Sequence, residues 1–514
     1  MMIDPQQARQ VLLEQLGEDG GGERATETKT LVLLSYLRGE LWDEAIIAAR
    51  DLIADDDQNW DAYTLLGGAF AGKGDNGQAR EAYRQALKLR PGNMNAANNL
   101  ARIEVKAGNF AAARELYDEM LAQNPDEVAP VLYLNALDQQ EGKLADAQAR
   151  LESAIAKHPK ETALKLALAR LYLSTGQPSL VLAMSYELTA EEANSPAMLQ
   201  VLGDAQFALG EPAAAAAAYE KLVRQVPDVA TLHYLLGRAY ASAGRVNAAY
   251  EQLQEAVQID PEHYASKMLR IQLLRLENKS AQASQLLAAM DSEFGERPEV
   301  LVEKGWLALY EGDLGTARQA FNAAFEVAPI NDLVVQLGVV DWNDRKPRAA
   351  IERYKQWLEK NPDDQKILIH LANTYLQLGR DSEAVKSFEK LRKLNPDNTV
   401  VLNNLAWLLR RTDPGKAMEY AERTLELAPD WGAALDTLGS IQLEQGDLDR
   451  AARSFEQALK RSPGSPDIHY HLAVVSSRRG DNSQAIAILK AILADRDKPF
   501  ASRKEAEQLL ASLQ

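Results

Sequence analysis

The chain of 514 residues has no cysteine, which removes disulfides, thiolate metal sites and cysteine nucleophiles, and suits either cytoplasm or periplasm. Positive charge is in short supply. Against 74 Asp and Glu stand 57 Lys and Arg, a net charge of −17 that repels phosphate backbones and anionic headgroups, so no nucleic-acid partner is expected. No stretch approaches the roughly 18 to 20 apolar residues that a bilayer-spanning helix needs, so no transmembrane segment is expected. Met1–Gln10 lacks the basic and apolar regions of a signal peptide, and the chain as it stands reads as soluble.

Reactive constellations are missing too. The six histidines are His158, His233, His263, His370, His469 and His471, and no pair has the helical zinc spacing around a glutamate. His469 and His471 fall on different faces of one helix. The glycines at 20–22 have no Lys-Ser or Lys-Thr behind them, which rules out a phosphate loop and leaves a flexible link. No nucleophile motif occurs, and the many carboxylates read as a solvated, salt-bridged surface. The expectation is a protein without catalytic residues, metal or cofactor.

What the chain does have is repetition. Its clearest unit is Gly432–Pro463, GAALDTLGSIQLEQGDLDRAARSFEQALKRSP: apolar and small residues recur at helical spacing, stop at Gly446-Asp447 and resume, giving helix, tight turn and helix. Glycine returns at Gly74, Gly108, Gly142, Gly176, Gly210 and Gly244, in steps of 34 residues, and again at Gly312, Gly379, Gly446 and Gly480. It suits the left-handed residue just past a helix end. Asp75, Asn109, Asp313, Asp447 and Asp481 follow as N-cap candidates, and Pro178, Pro212, Pro347 and Pro414 as first residues of second helices. Five places after each turn the residue is small: Ala45, Ala79, Ala113, Ala147, Val181, Ala215, Ala249, Ala283, Ala317, Ala350, Ala384, Ala417, Ala451 and Ala485. A second small series, including Gly67, Gly203, Gly237, Gly305, Gly338 and Gly439, marks the first helices. Both series predict two helices in very close contact.

This pattern resembles the tetratricopeptide repeat, a helix-turn-helix unit with small residues, aromatics and a closing proline at these places. The resemblance implies an all-α fold: a right-handed α-solenoid superhelix of about 14 repeats, first helices lining a concave groove, with binding rather than catalysis as its business. On this reading residues 1–25 hold a short amphipathic helix, 4–16, and the glycine-rich link; 26–499 are the solenoid; and 500–514 form a C-terminal capping helix. The units opening near 162 and 264 carry Ala193 and Gly295 in place of the closing proline and are the places where a local change in superhelical pitch is expected.

First-helix places near the small residue are expected to face the groove. They hold Phe207, Tyr234, Trp306, Tyr310, Trp342, His370, Trp407, Tyr470 and His471, together with Asn373, Asn403 and Asn404. Rings and amides of this kind suit an extended peptide, an apolar helix or a sugar ring. Arg410, Arg411, Arg478 and Arg479 form a basic region at the ends of first helices, which reads first as a solvated rim and second as a place where an acidic segment is able to dock.

Asn395–Val474, with its NNLAWLL segment, shortened DPGKA turn, LDTLG start and IHYHLA start, resembles the end of the tetratricopeptide lipoproteins of exosortase (PEP-CTERM) systems. That resemblance implies a periplasmic, lipid-tethered scaffold in exopolysaccharide assembly or export, with protein partners in its groove and polysaccharide secretion components among them. A cytoplasmic assembly module or co-chaperone, and a groove that binds oligosaccharide directly, are the alternatives.

Overall fold

The computed structural model describes residues 23–494 and 499–514; the helix and link expected before Glu23 lie outside them. Among the described residues every regular element is an α-helix. The chain divides into two compact units, one ending at Ser266 and the other beginning at Lys267. Each is a row of helix pairs. Fourteen pairs follow in succession, from Glu23–Arg38 with Trp42–Asp55 to Pro466–Arg478 with Asn482–Leu493, and a last helix spans Arg503–Leu513.

Turn chemistry explains where the helices stop. The ten glycines of the turn series have φ between 67° and 89°, a region in which a Cβ is strained. Four turns lack glycine at that place; Glu40, Asn278 and Arg345 occupy the left-handed region in three of them, at φ 56°, 59° and 56°, and the shortened turn 410–413 has no left-handed residue. Asp75, Asp313, Asp447 and Asp481 accept the expected N-cap hydrogen bonds. Asn109 does not cap. Its Nδ2 donates to Glu104 Oε2 at 2.8 Å instead.

Close packing within each pair takes a more specific form than two facing methyls. The alanines of the second helices are fully buried, but what the first-helix glycines accommodate is a large side chain four places further on. A Cβ on Gly67 would lie 2.6 Å from the Tyr83 ring, on Gly203 2.5 Å from Tyr219, on Gly305 2.6 Å from Phe321 and on Gly439 2.7 Å from Phe455. On Gly338 it would meet the hydroxyl of Tyr354 at 2.1 Å. Each ring fills a slot that only a residue without a side chain leaves open.

Between pairs, buried acids add a second tie. Asp138 accepts from Arg114 of the preceding pair (2.7 Å) and from Arg150 of its own (2.9 Å). Asp341 sits in the same repeat place between Arg318 and Arg353, and Glu104 is held by Arg80 at 2.8 Å. All three carboxylates are buried. The expectation of a uniformly solvated acidic surface fails here, because a buried charge is tolerated only when fully partnered.

The unit opening at Thr162 departs from the pattern in its second helix. Its second helix stops at Ser185, and a short helix, Ala190–Ala193, restarts behind a Thr189–Glu192 capping box. At the other end Ala506 is buried, and Leu509, Leu510 and Leu513 pack with it against Ala473 and Leu489.

First helices of several successive pairs also touch directly, as with Trp60–Lys73 and Met94–Lys106, or Thr399–Leu409 and Gly432–Glu444. Second helices do not approach one another to that degree among the described residues. The first helices therefore line the inner side of each unit.

Gly338→Ala is expected to destabilise the protein by about 1–3 kcal/mol, because the new methyl displaces a ring that has nowhere to go. Arg345→Gly relieves a left-handed non-glycine residue and is expected to raise stability by roughly 0.5–1 kcal/mol. Urea unfolding followed by circular dichroism checks both, and equal midpoints for all three proteins contradict the packing account.

Candidate functional site

In the second unit the inner faces of helices Asn331–Asn343, Gln365–Gln377 and Thr399–Leu409 present a band of apolar side chains to solvent. Trp342 is 37% exposed and Trp407 36%; Ile369 and Asn373 are exposed on the helix between them, and Val400 on the helix of Trp407. Asn403 and Asn404 are half-buried, and Asn403 Oδ1 is buried without a hydrogen-bond donor.

The expected rings do not all share one role. Trp306 is half-buried, edge-on to Phe321 at 6.1 Å, with the Arg275 guanidinium 5.4 Å from its ring. Only its neighbour Tyr310, 6.4 Å away and 54% exposed, is open to solvent. His370 is half-buried and lies 6.2 Å from Tyr354. Burial, and then the Lys366 ammonium, hold its imidazole below the ordinary value. His471 packs on Phe455 at 5.2 Å and Tyr470 at 5.7 Å, comes within 6.4 Å of Trp407, and bonds Asp436 through Nδ1 at 2.8 Å. His469 bonds the Ser465 carbonyl instead, so the two histidines serve different partners.

The basic region is not an open patch. Arg410 lies 3.8 Å over Trp407 and donates to its carbonyl, Arg411 pairs with Glu444 at 2.7 Å, Arg478 donates to the Leu443 carbonyl, and Arg479 bonds Leu448 and Asp449. These arginines finish helix ends and fix Trp407.

In the first unit, by itself, Phe207 and Tyr234 meet around an arginine that the sequence reading passed over. Arg238 stands 4.3 Å from the Phe207 ring and 5.8 Å from that of Tyr234, which in turn lies 5.7 Å from His263. Asp204 accepts from Tyr219 at 2.6 Å, and burial raises its carboxyl above the usual range. Arg238 follows Gly237 directly, as Arg102 follows Ala101 and Arg170 follows Ala169, so the same first-helix place holds arginine at 68-residue intervals. That signal was available in the sequence.

The tetratricopeptide repeat profile matches residues 70–136, 139–204, 343–408 and 442–513, and a second profile of the same description matches 201–264. The chain belongs to the tetratricopeptide repeat family. Proteins of this family act as interaction scaffolds. Among curated proteins it is similar to Protein FlbA of Caulobacter vibrioides, 28% identical over 158 residues, or 30% of this chain and 26% of that protein. A TPR repeat-containing protein of Pseudomonas aeruginosa is 30% identical over 167 residues, covering 30% of this chain and 27% of the relative. The Hsp70-Hsp90 organizing protein of Triticum aestivum is 34% identical over 105 residues, 20% and 18% of the two. The matches thus span about a quarter or less of these relatives. The solved APC/C hetero-tetramer Cut9-Hcn1 is similar over 95% of this chain and 96% of the chain compared, at 14% identity and a TM-score of 0.42. A tetratricopeptide repeat protein from Parabacteroides merdae is 22% identical, covering 42% and 88%, with a TM-score of 0.38.

No described helix in this repeat protein is long and apolar enough to cross a membrane.

The depressed pKa of His370 has a consequence for stability. In the unfolded chain its imidazole titrates near the ordinary value of about 6.5, and in the folded chain lower. Its contribution is therefore complete above about pH 6.5 and is lost as pH falls through the folded value. Melting temperatures from pH 7.5 to 5 are expected to fall less steeply for His370→Gln than for the parent; parallel curves contradict this.

Proposed function

We propose that this protein is a non-catalytic scaffold that holds an extended, apolar segment of a protein partner along the inner face of its second unit. One observation carries the reading: Trp342 and Trp407 stand open to water on first helices on either side of Gln365–Gln377, which presents Ile369 and Asn373, while Val400 is exposed on the helix of Trp407. Exposed tryptophans are rare in a surface with nothing to bind, and they are the side chains that dominate binding energy when a partner covers them. Arg410 holds the Trp407 ring in place. Trp306, which packs into its own pair, contributes through Tyr310 beside it.

The resemblance of Asn395–Val474 to the lipoproteins of exosortase systems supports a finer reading: the partner belongs to the machinery of exopolysaccharide assembly or export at the periplasmic side of a membrane. The similarity of a 105-residue stretch to an Hsp70-Hsp90 organizing protein favours the other reading, an assembly module or co-chaperone. Direct sugar binding draws on the same exposed rings.

Capture from membrane extracts of the source organism, followed by mass spectrometry, tests the proposal. The double variant Trp342→Ala, Trp407→Ala is expected to lose about 2 kcal/mol or more of binding, a drop of roughly thirtyfold, with helicity intact. Undiminished capture refutes the groove assignment. Tryptophan fluorescence that changes on titration with oligosaccharide, while no protein is retained, places sugar in the groove instead.

A further inference from the structure

The pair Asn331–Asn343 with Pro347–Lys360 breaks the repeat in two ways, and both breaks line one cavity. Seven places after the buried alanine, other second helices carry a residue whose carbonyl accepts the N–H that closes the helix. That residue is a buried alanine at Ala86, Ala154, Ala256, Ala324 and Ala458 and a buried leucine or methionine at Leu52, Met120, Leu222 and Leu391. Here it is Trp357, whose carbonyl accepts from Asn361 in the same way, at 2.9 Å. The indole is larger than the alanine, leucine or methionine buried at that place in those repeats, and the ring is left half-buried. The second break is the turn leading into this pair. Three residues, 328–330, separate Val327 from Asn331, whereas four, 361–364 and 395–398, separate the helices at the next two closing turns.

Between the shortened turn and the displaced ring lies a cavity of about 650 Å³. Phe325, Pro329, Val334, Leu337 and Trp357 form its walls, while Arg353, Gln356, Glu359, Lys360 and Asn361 surround its mouth. The aromatic walls are held rigidly. Trp357 Nε1 donates to Asp364 Oδ2 at 2.7 Å, and Asp364 is itself fixed by Asn331 at 3.0 Å and by the N–H of Ile367 at 3.1 Å. Phe325 meets Trp357 at 6.0 Å and 62°, which presents two apolar surfaces at a set angle. A cleft of this size, mostly apolar with a few polar groups at its opening, has the dimensions of a small-molecule site and exceeds what a single inserted side chain fills. Two cations face one carboxylate at the mouth, and Arg353 already answers Asp341 through Nε.

We propose that this cavity binds a small molecule with a planar aromatic body and an anionic head, the body against Trp357 and the head beside Lys360. The site is separate from the Trp342–Trp407 band, so either assignment can fail without the other.

The test uses the full chain and two dyes of matched shape: 8-anilinonaphthalene-1-sulfonate, and the uncharged N-phenyl-1-naphthylamine. The sulfonate dye is expected to fill a saturable site that Trp357→Ala and, separately, Gln356→Trp each weaken at least about tenfold. Five sister repeats carry alanine at that place and Gln356 is exposed, and circular dichroism of both variants checks that the helices are retained. Lys360→Glu is expected to weaken the sulfonate dye and spare the neutral one. Absence of saturable binding at millimolar dye, or binding that both Trp357→Ala and Gln356→Trp leave unchanged, overturns the site. Equal effects of Lys360→Glu on both dyes overturn the placement of the head.

Discussion

The seating of a second-helix ring against a first-helix glycine, as with Phe321 on Gly305 and Tyr354 on Gly338, is the contact on which the rest of the structure depends. It sets the distance between the two helices of a pair, and the buried alanine four residues before the ring lets the backbones close at the neighbouring turn. A fully buried aromatic contributes roughly 1.5–3 kcal/mol through burial alone, and in a linear stack such terms accumulate pair by pair. Because the pair is held on this side, its inner face is not needed for the core. Trp342, Ile369 and Trp407 can therefore stand in water on helices that remain firmly placed, which is what a binding surface requires.

Irregularities gain meaning against so regular a frame. The broken second helix at 178–193 keeps Val181 buried where alanine is usual and compensates with a capping box, a local repair that leaves the pair packed. Trp357 is a different case, since the ring it introduces is bonded from outside by Asp364 and bounds a cavity that opens to solvent. Asp138 and Asp341 belong to neither class. Each answers arginines from two helices, so the charge that looks like surface solvation in the sequence is part of the joint between successive pairs.

Much of this was legible in the residues. Turn glycines, capping aspartates, helix-opening prolines and the alanine series locate nearly every helix, because each reports a local backbone requirement that one residue type meets best. The candidate site was less legible. Trp306 and Trp342 look alike in sequence, yet one packs edge-on to Phe321 and the other faces water, since they stand at different angles around their helices. Arg410, Arg411, Arg478 and Arg479 read as a basic rim, but the sequence does not show that carbonyls and carboxylates from other residues engage them. Arg238 went unremarked because its partners, Phe207 and Tyr234, come from two different repeats.

The sequence by itself determined the period, the helical class and the close pairing, all of which follow from contacts within about 34 residues and from backbone conformations that glycine and proline announce. Tertiary structure alone decided which side of each helix stays open, which acids are buried and where a cavity remains. Those outcomes depend on the rotation of one pair against the next, and that rotation is set by side-chain volumes meeting across repeats, which no single repeat encodes.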